Sequence, residues 1–299
     1  MNKILALLFV CAIPGFASAQ LIDDNHIIAL GAELTLLSSD YSFTEGPAAD
    51  KDGNVYFTDQ PNNQIIKWDA KTNKLSTFLS SSGRSNGMYF NAEGQLIACA
   101  DMDNELWAID QEGDHTMIID NYGDELLNGP NDLWIAPNGN IYFTDPLYKR
   151  DYWTRNPEMQ QDGKYVYLLT KQGALSRVTS AYEQPNGIVG TPNGKKLYVA
   201  DIGAGKIFNY KISKTGELTK KKLFTSMGSD GMTLDNQGNL YITGKGVTVF
   251  NKKGKKIAYI PVPEKWTANI CFGGTNNNTL FIAASESVYT LKMNVKGAQ

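Results

Sequence analysis

NDLWIAPNGNIYFTDP, from Asn131 to Pro146, holds a polar pair, a short apolar strand, an Asn-Gly turn and a second apolar strand. The Asn-Gly pair supplies the left-handed backbone that a tight hairpin needs. The same frame returns along the chain as EGPAADKDGNVYFTD from Glu45, NGMYFNAEGQLIACAD from Asn86, NGIVGTPNGKKLYVAD from Asn186 and DGMTLDNQGNLYITG from Asp230. A more diverged copy, NICFGGTNNNTLFIAAS, begins at Asn269. From the leading polar residue to the first apolar residue of the second strand is 10 positions for Val55, Leu96, Ile141 and Leu240, and 11 for Leu197 and Leu280.

Each pair of strands is followed by another pair. QIIKWD (from Gln64) leads to KLSTFLS (from Lys74), and KIFNYKI (from Lys206) leads to ELTKKKLF (from Glu217). The unit is therefore a four-stranded antiparallel meander. Its leading residue recurs at intervals of 41, 45, 55, 44 and 39. Units of this size and strand number are propeller blades, and six of them predict an all-β, six-bladed β-propeller. The sixth unit ends after its third strand, SVYTLKMN (from Ser287), while ELTLLSS (Glu33 to Ser39) is an early strand without a partner before it. The economical solution lets this N-terminal strand complete the last blade and close the ring, which removes an exposed edge.

The chain has 299 residues, a net charge of −3 and 42% hydrophobic residues, giving no reason to expect nucleic acid or an anionic membrane as partner. Residues 1–19 read as a signal peptide: Lys3, then a short apolar run, then Ala17-Ser18-Ala19 as cleavage site. The mature chain, 20–299, is expected to be one propeller domain, a monomer exported to the periplasm or the medium. Cleavage leaves Cys99 and Cys271, which fall in non-adjacent repeats and are expected to be separate buried thiols. The two histidines, His26 and His115, lie outside the repeat frame and are expected at the surface, so a Ser-His-Asp triad has no support.

In a propeller the first strand of each blade lies nearest the axis, so the residue opening it stands at one mouth of the central channel. Those residues are Glu45, Asn86, Asn131, Asn186, Asp230 and Asn269, and every one carries a side-chain oxygen. Asn or Asp before Gly is also a common turn former, and any single position has that simpler explanation. Six in register would form a ring of oxygens, and two carboxylates converging in a channel are costly without a cation. Oxygen donors without His or Cys favour Ca²⁺; Mg²⁺ demands stricter geometry and Zn²⁺ other ligands.

FTEGPAADKDGNVYFTD, LNGPNDLWIAPNGNIYFTDP, QPNGIVGTPNGKKLYVAD and SDGMTLDNQGNLYIT carry a resemblance that covers essentially the whole mature chain. The sequence resembles the gluconolactonase group of the family that includes senescence marker protein (regucalcin) and, more distantly, squid diisopropyl fluorophosphatase. The resemblance implies a six-bladed propeller with calcium or another divalent cation held by Glu45, Asn131, Asn186 and Asp230. It implies Asp230 as base or nucleophile and Asn131 beside the substrate, in the hydrolysis of a small-molecule lactone. Asn86 and Asn128 are expected as substrate-side groups. Regucalcin-like members place a substrate-binding Arg where this chain has Gly129, so a sugar-acid specificity does not carry over.

The longest interval, Asn131 to Asn186, holds PLYKRDYWTRNPEMQQDGKY, which breaks the strand pattern and predicts a loop at the mouth of blade three. Its Tyr148, Tyr152 and Trp153 are suited to walling a substrate pocket, or else to packing the loop onto the neighbouring blade. Asp145, just before it, is expected to bind backbone groups or to orient Asn131. Two other functions stay open on sequence: phosphotriester or aryl-ester hydrolysis at the same metal, and a non-enzymatic ligand-binding propeller.

Overall fold

The computed structural model describes residues 20–298; the expected signal peptide lies outside them. Six antiparallel sheets, five of four strands and one of five, follow one another around an axis, with a small two-stranded sheet beside them. Blade one is Thr44–Ala49, Val55–Asp59, Gln64–Asp69 and Lys74–Leu79. Blade two is Ser85–Phe90, Leu96–Ala100, Glu105–Ile109 and His115–Ile119. Blade three is Leu133–Ile135, Ile141–Asp145, Tyr165–Leu169 and Leu175–Arg177, and blade four is Pro185–Gly190, Lys196–Asp201, Lys206–Ile212 and Leu218–Thr225. Blade five is Met232–Leu234, Leu240–Ile242, Val247–Phe250 and Lys256–Ile260.

Blade six is built from Asn269–Gly273, Thr279–Ala284 and Ser287–Lys292, with Thr35–Ser38 as its fourth strand. Thr35 pairs with Thr290 and Leu36 with Tyr289, so the N-terminal strand closes the ring as the repeat count required. Ile22–Asp23 adds a fifth strand to the outer edge of blade five, opposite Tyr259 and Ala258, which the repeat pattern did not foretell. It covers an edge that would otherwise offer unpaired backbone groups.

The hairpin turns between first and second strands carry Gly53, Gly94, Gly139, Gly194 and Gly238, all with positive φ. The cores lie between blades. Val55 and Phe57 of blade one pack with Cys271 and Phe281 of blade six, and Cys99 and Leu106 of blade two pack with Leu133 and Phe143 of blade three. The two cysteines are thus buried free thiols in different interfaces, as expected. His26 is exposed, and His115 is exposed with its ring stacked on Trp107. No helix among the described residues is long and apolar enough to cross a membrane.

This topology sorts the loops. First strands run away from the mouth where the leading residues stand, so connections between second and third strands, and from one blade to the next, return to that mouth. Three such segments frame it: residues 80–84, the blade-three loop 146–164 and the 261–268 connection into blade six.

Candidate active site at the channel mouth

Each first strand packs against the first strand of the next blade, and the sixth against the first. Strand pairing is irregular between Glu45 and Ala48, between Ser85 and Met88, and between Pro185 and Ile188. Bulges at these points turn Asn86 and Asn186 out of the sheet register, whereas Glu45 stays paired with Thr58 and the bulge falls on Gly46 and Pro47. The glycines that follow allow the crowding. A Cβ on Gly46 would lie 1.9 Å from the Asn86 carbonyl oxygen, and one on Gly187 would lie 2.1 Å from that of Asp230. The Gly87 amide donates to the Asn131 carbonyl oxygen at 2.7 Å. What reads in sequence as a turn signal is here a close approach of backbones.

Glu45 is buried, and its Oε2 accepts the Gly46 amide at 2.9 Å and the Asn269 Nδ2 at 3.1 Å. Oε1 takes no hydrogen bond among the described residues. Asn269 also accepts the Ile270 amide through Oδ1, so its side chain is committed at both ends and orients Glu45. Asp230 Oδ2 accepts the indole N–H of Trp266 at 2.6 Å. Asn186 Nδ2 donates to the Tyr148 hydroxyl at 3.0 Å, and its amide also supports Asp230. Asn86 and Asn131 are buried, yet no side-chain hydrogen bond engages either among the described residues.

Three carboxylates share this mouth. Burial, then the charge of Asp230, pushes the Glu45 carboxyl well above the usual range. Burial raises Asp230 from 3.8 to about 6, although Trp266, Asn186 and the charge of Arg150 hold it down. Burial likewise raises Asp132 from 3.8 to about 7. Asp132 stands where four other blades have Gly, accepting the Leu133 amide at 2.9 Å and the Ile188 amide at 3.2 Å.

The blade-three loop lies against blade two. The Tyr152 hydroxyl and the Trp153 indole N–H both donate to Asp101 Oδ2, at 2.8 and 3.3 Å. The polar ends of these two rings therefore hold the loop down, and Tyr148 is the aromatic that reaches the ring of leading residues. Asn128 fastens the loop as well: its Nδ2 donates to the carbonyls of Asp145 and Gly163, and its buried Oδ1 has no partner. Asp145 accepts the Asn128 and Gly129 amides, and Asp59 and Asp201 bind the backbone before their own first strands in the same way. At Gly129, with φ +147°, a Cβ would stand 2.7 Å from Asp101 Oδ1 and 3.2 Å from Arg155 Nη2. A side chain there would be strained by this φ and would have to displace Asp101 or Arg155.

Residues 43–286 match the family described as SMP-30/Gluconolactonase/LRE-like region. The chain belongs to that family. The SMP-30/gluconolactonase relatives include the gluconolactonase of Zymomonas mobilis, 28% identical, with 91% of this chain and 85% of that protein covered. Diisopropyl-fluorophosphatase of Loligo vulgaris is 26% identical over 85% of this chain and 89% of that protein. Among solved structures, a structural-genomics protein superposes with a TM-score of 0.87 at 29% identity, covering 94% of this chain and all (100%) of the other. A gluconolactonase of Xanthomonas campestris superposes with a TM-score of 0.82 at 24% identity, covering 92% and 98%, a likeness of fold.

The donor set of this SMP-30/gluconolactonase member suits a hard divalent cation. Glu45, Asp132 and Asp230 have no ion-pair partner among the described residues. Amide oxygens of Asn131 and Asn186 stand in the same ring. A dication would relieve the mutual repulsion of the acids and use those oxygens. The described residues hold no group of three or more His, Cys, Asp or Glu arranged as a metal cluster; the donor set proposed here is two carboxylates with amides.

The raised acids set a pH dependence. Native Asp230 and Asp132 keep protons that the unfolded chain, with carboxyls at 3.8, has already released. Raising the pH through about 4 to 7 therefore removes stability from the metal-free protein. The chelated protein is expected to melt at a lower temperature at about pH 7.5 than at about pH 5, with the gain from an added divalent cation growing across that interval. Melting curves with chelator and with calcium as the added cation test this; a gain that stays constant with pH contradicts it.

Proposed function

We propose that this protein is a calcium-dependent lactonase acting on a sugar lactone. The observation that carries the reading is the ring at the mouth: Glu45 and Asp230 face each other's charge without a protein cation paired to either, with the unengaged Asn131 and the Asn186 amide in the same ring. The similarity to a gluconolactonase along 91% of the chain supplies the reaction class, hydrolysis of a carboxylic ester. Glu45, Asn131, Asn186 and Asp230 would hold the cation, which when bound supplies Lewis-acid polarisation of the lactone carbonyl.

The protein's own groups do the rest. Asp230, ionised at neutral pH beside a dication, accepts the proton of the attacking water or attacks the carbonyl itself. Trp266 fixes the carboxylate by holding Oδ2. Asn86, whose side-chain amide no protein group engages among the described residues, and the Nδ2 of Asn131, whose oxygen would be turned to the cation, bind and orient the substrate. Tyr148 and the Tyr152–Trp153 segment of the blade-three loop shield one side from water. Export is part of the same reading, because calcium is plentiful outside the cytoplasm.

The test strips metal with chelator, then assays glucono-, galactono- and aliphatic lactones with and without added calcium. Activity should vanish with chelator and return with calcium. Undiminished activity in chelator overturns the metal requirement, and inactivity on every lactone with calcium overturns the substrate class. The relative among diisopropyl-fluorophosphatases makes phosphotriester or aryl-ester cleavage the second reading, and both substrates belong in the same screen.

A further inference from the structure

Three arginines gather on the blade-two side of the mouth, each over an aromatic ring. Arg155 lies 3.5 Å from the centre of Trp153, Arg84 4.1 Å from Tyr152, and Arg150 5.2 Å from Tyr148. One buried carboxylate, Asp101, stands at their centre, and its Oδ2 already accepts Tyr152 and Trp153. Arg84 donates to the carbonyl of Pro61, and Arg155 donates to that of Asn128 at 2.8 Å. Arg155 also draws on the charges of Asp103 and Asp145.

Arg150 differs. Its guanidinium makes no hydrogen bond among the described residues, and the anion it faces is Asp101 Oδ2 at 3.8 Å from Nε, beyond hydrogen-bond range. The side chain is 30% exposed, so part of the guanidinium is reachable from solvent. The buried Nε atoms of Arg84, Arg150 and Arg155 all lack partners. Arg150 is also close to the candidate chemistry. The Tyr148 ring beneath it bonds Asn186, and its charge favours the ionised form of Asp230. A half-buried guanidinium with unused donors is a strong receptor for a carboxylate or phosphate, since bidentate pairing is strengthened where water is scarce.

We propose that Arg150, backed by Arg84 and Arg155, is an anion subsite beside the catalytic ring, and that the preferred lactone carries a negatively charged substituent that pairs with it. The proposal rests on the lactonase reading and deepens it. The rival explanation makes Arg150 only a counter-charge for the acidic ring, with no contact to substrate.

The calcium-loaded protein is assayed on a neutral aldonolactone, on an aldarolactone with a free carboxylate and on a phosphorylated aldonolactone; the last two separate carboxylate from phosphate. At least one charged lactone should have the highest kcat/KM. Arg150→Gln should lower the charged-to-neutral ratio of kcat/KM by about tenfold or more, chiefly through KM, and Arg150→Lys should restore part of it. A ratio equal in wild type and Arg150→Gln, or a wild type that prefers the neutral lactone, overturns the subsite. If no lactone is turned over, the lactonase reading falls, and calorimetry of the ring-opened dicarboxylate with both proteins decides the subsite alone. Binding lost in Arg150→Gln supports it; equal binding, or none, overturns it.

Discussion

Asp230→Asn is expected to lower lactone turnover at saturating calcium by about 10²–10⁴-fold, the usual contribution of a general base. The substitution is nearly isosteric, and an Asn oxygen still accepts the Trp266 indole N–H that Asp230 Oδ2 accepts at 2.6 Å. The fold and the mouth should therefore survive, and the loss should fall on kcat. Calcium affinity should fall too, because one of two negative ligands becomes neutral. Glu45→Gln separates these effects. Glu45 is proposed only to hold the cation, so its loss should weaken calcium binding while saturating calcium restores most of kcat. In chelator the Glu45→Gln protein should melt no lower than wild type, because a buried acid repelled by Asp230 has been neutralised. Calorimetric calcium titration and kcat at saturating calcium check both variants. Full turnover by Asp230→Asn with calcium bound removes Asp230 from the chemistry.

Much of this site was legible because the repeat frame fixes register. Once the hairpin turns align, Glu45, Asn86, Asn131, Asn186, Asp230 and Asn269 must occupy one level of the channel. What the frame could not show was which oxygens are free. Asn269 is held at both ends, by Glu45 and by the Ile270 amide, whereas Asn131 is not engaged. Asp132 left a faint signal, an acid where four other blades place Gly and blade six places Ile270. Its bond to the Ile188 amide spans 56 positions and needs the ring to exist. The Asp101–Tyr152 and Asp230–Trp266 bonds left none, because they span 51 and 36 positions and Tyr152 and Trp266 sit on loops without periodicity. The fifth strand of blade five was equally hidden: two residues, Ile22 and Asp23, are too few to show an alternation. The choice between a pocket wall and a packed loop for Tyr152 and Trp153 turned on where their polar atoms point, which composition does not encode.

Gly187→Ala should damage both stability and the site, though the added methyl touches no ligand side chain. Gly187 does not have a positive φ, so Ala meets no backbone strain of its own. The obstacle is the neighbouring blade: the new Cβ would stand 2.1 Å from the carbonyl oxygen of Asp230. Backbone cannot rotate away as a flexible side chain would, so the first strands of blades four and five must part. Overpacking of this kind costs about 1–3 kcal/mol or more. It also displaces Asp230 from Asn186, so calcium affinity should fall together with the urea midpoint. Gly205→Ala is the control. Gly205 has φ +63°, and nothing lies within 4 Å of the point where its methyl would stand, so only backbone strain of about 1–2 kcal/mol is added, with calcium affinity unchanged. Equal calcium affinities in the two variants would mean that close approach of the inner strands does not position the ligands. Blade three argues that it does, since there an acid in place of this glycine bonds the next blade's backbone.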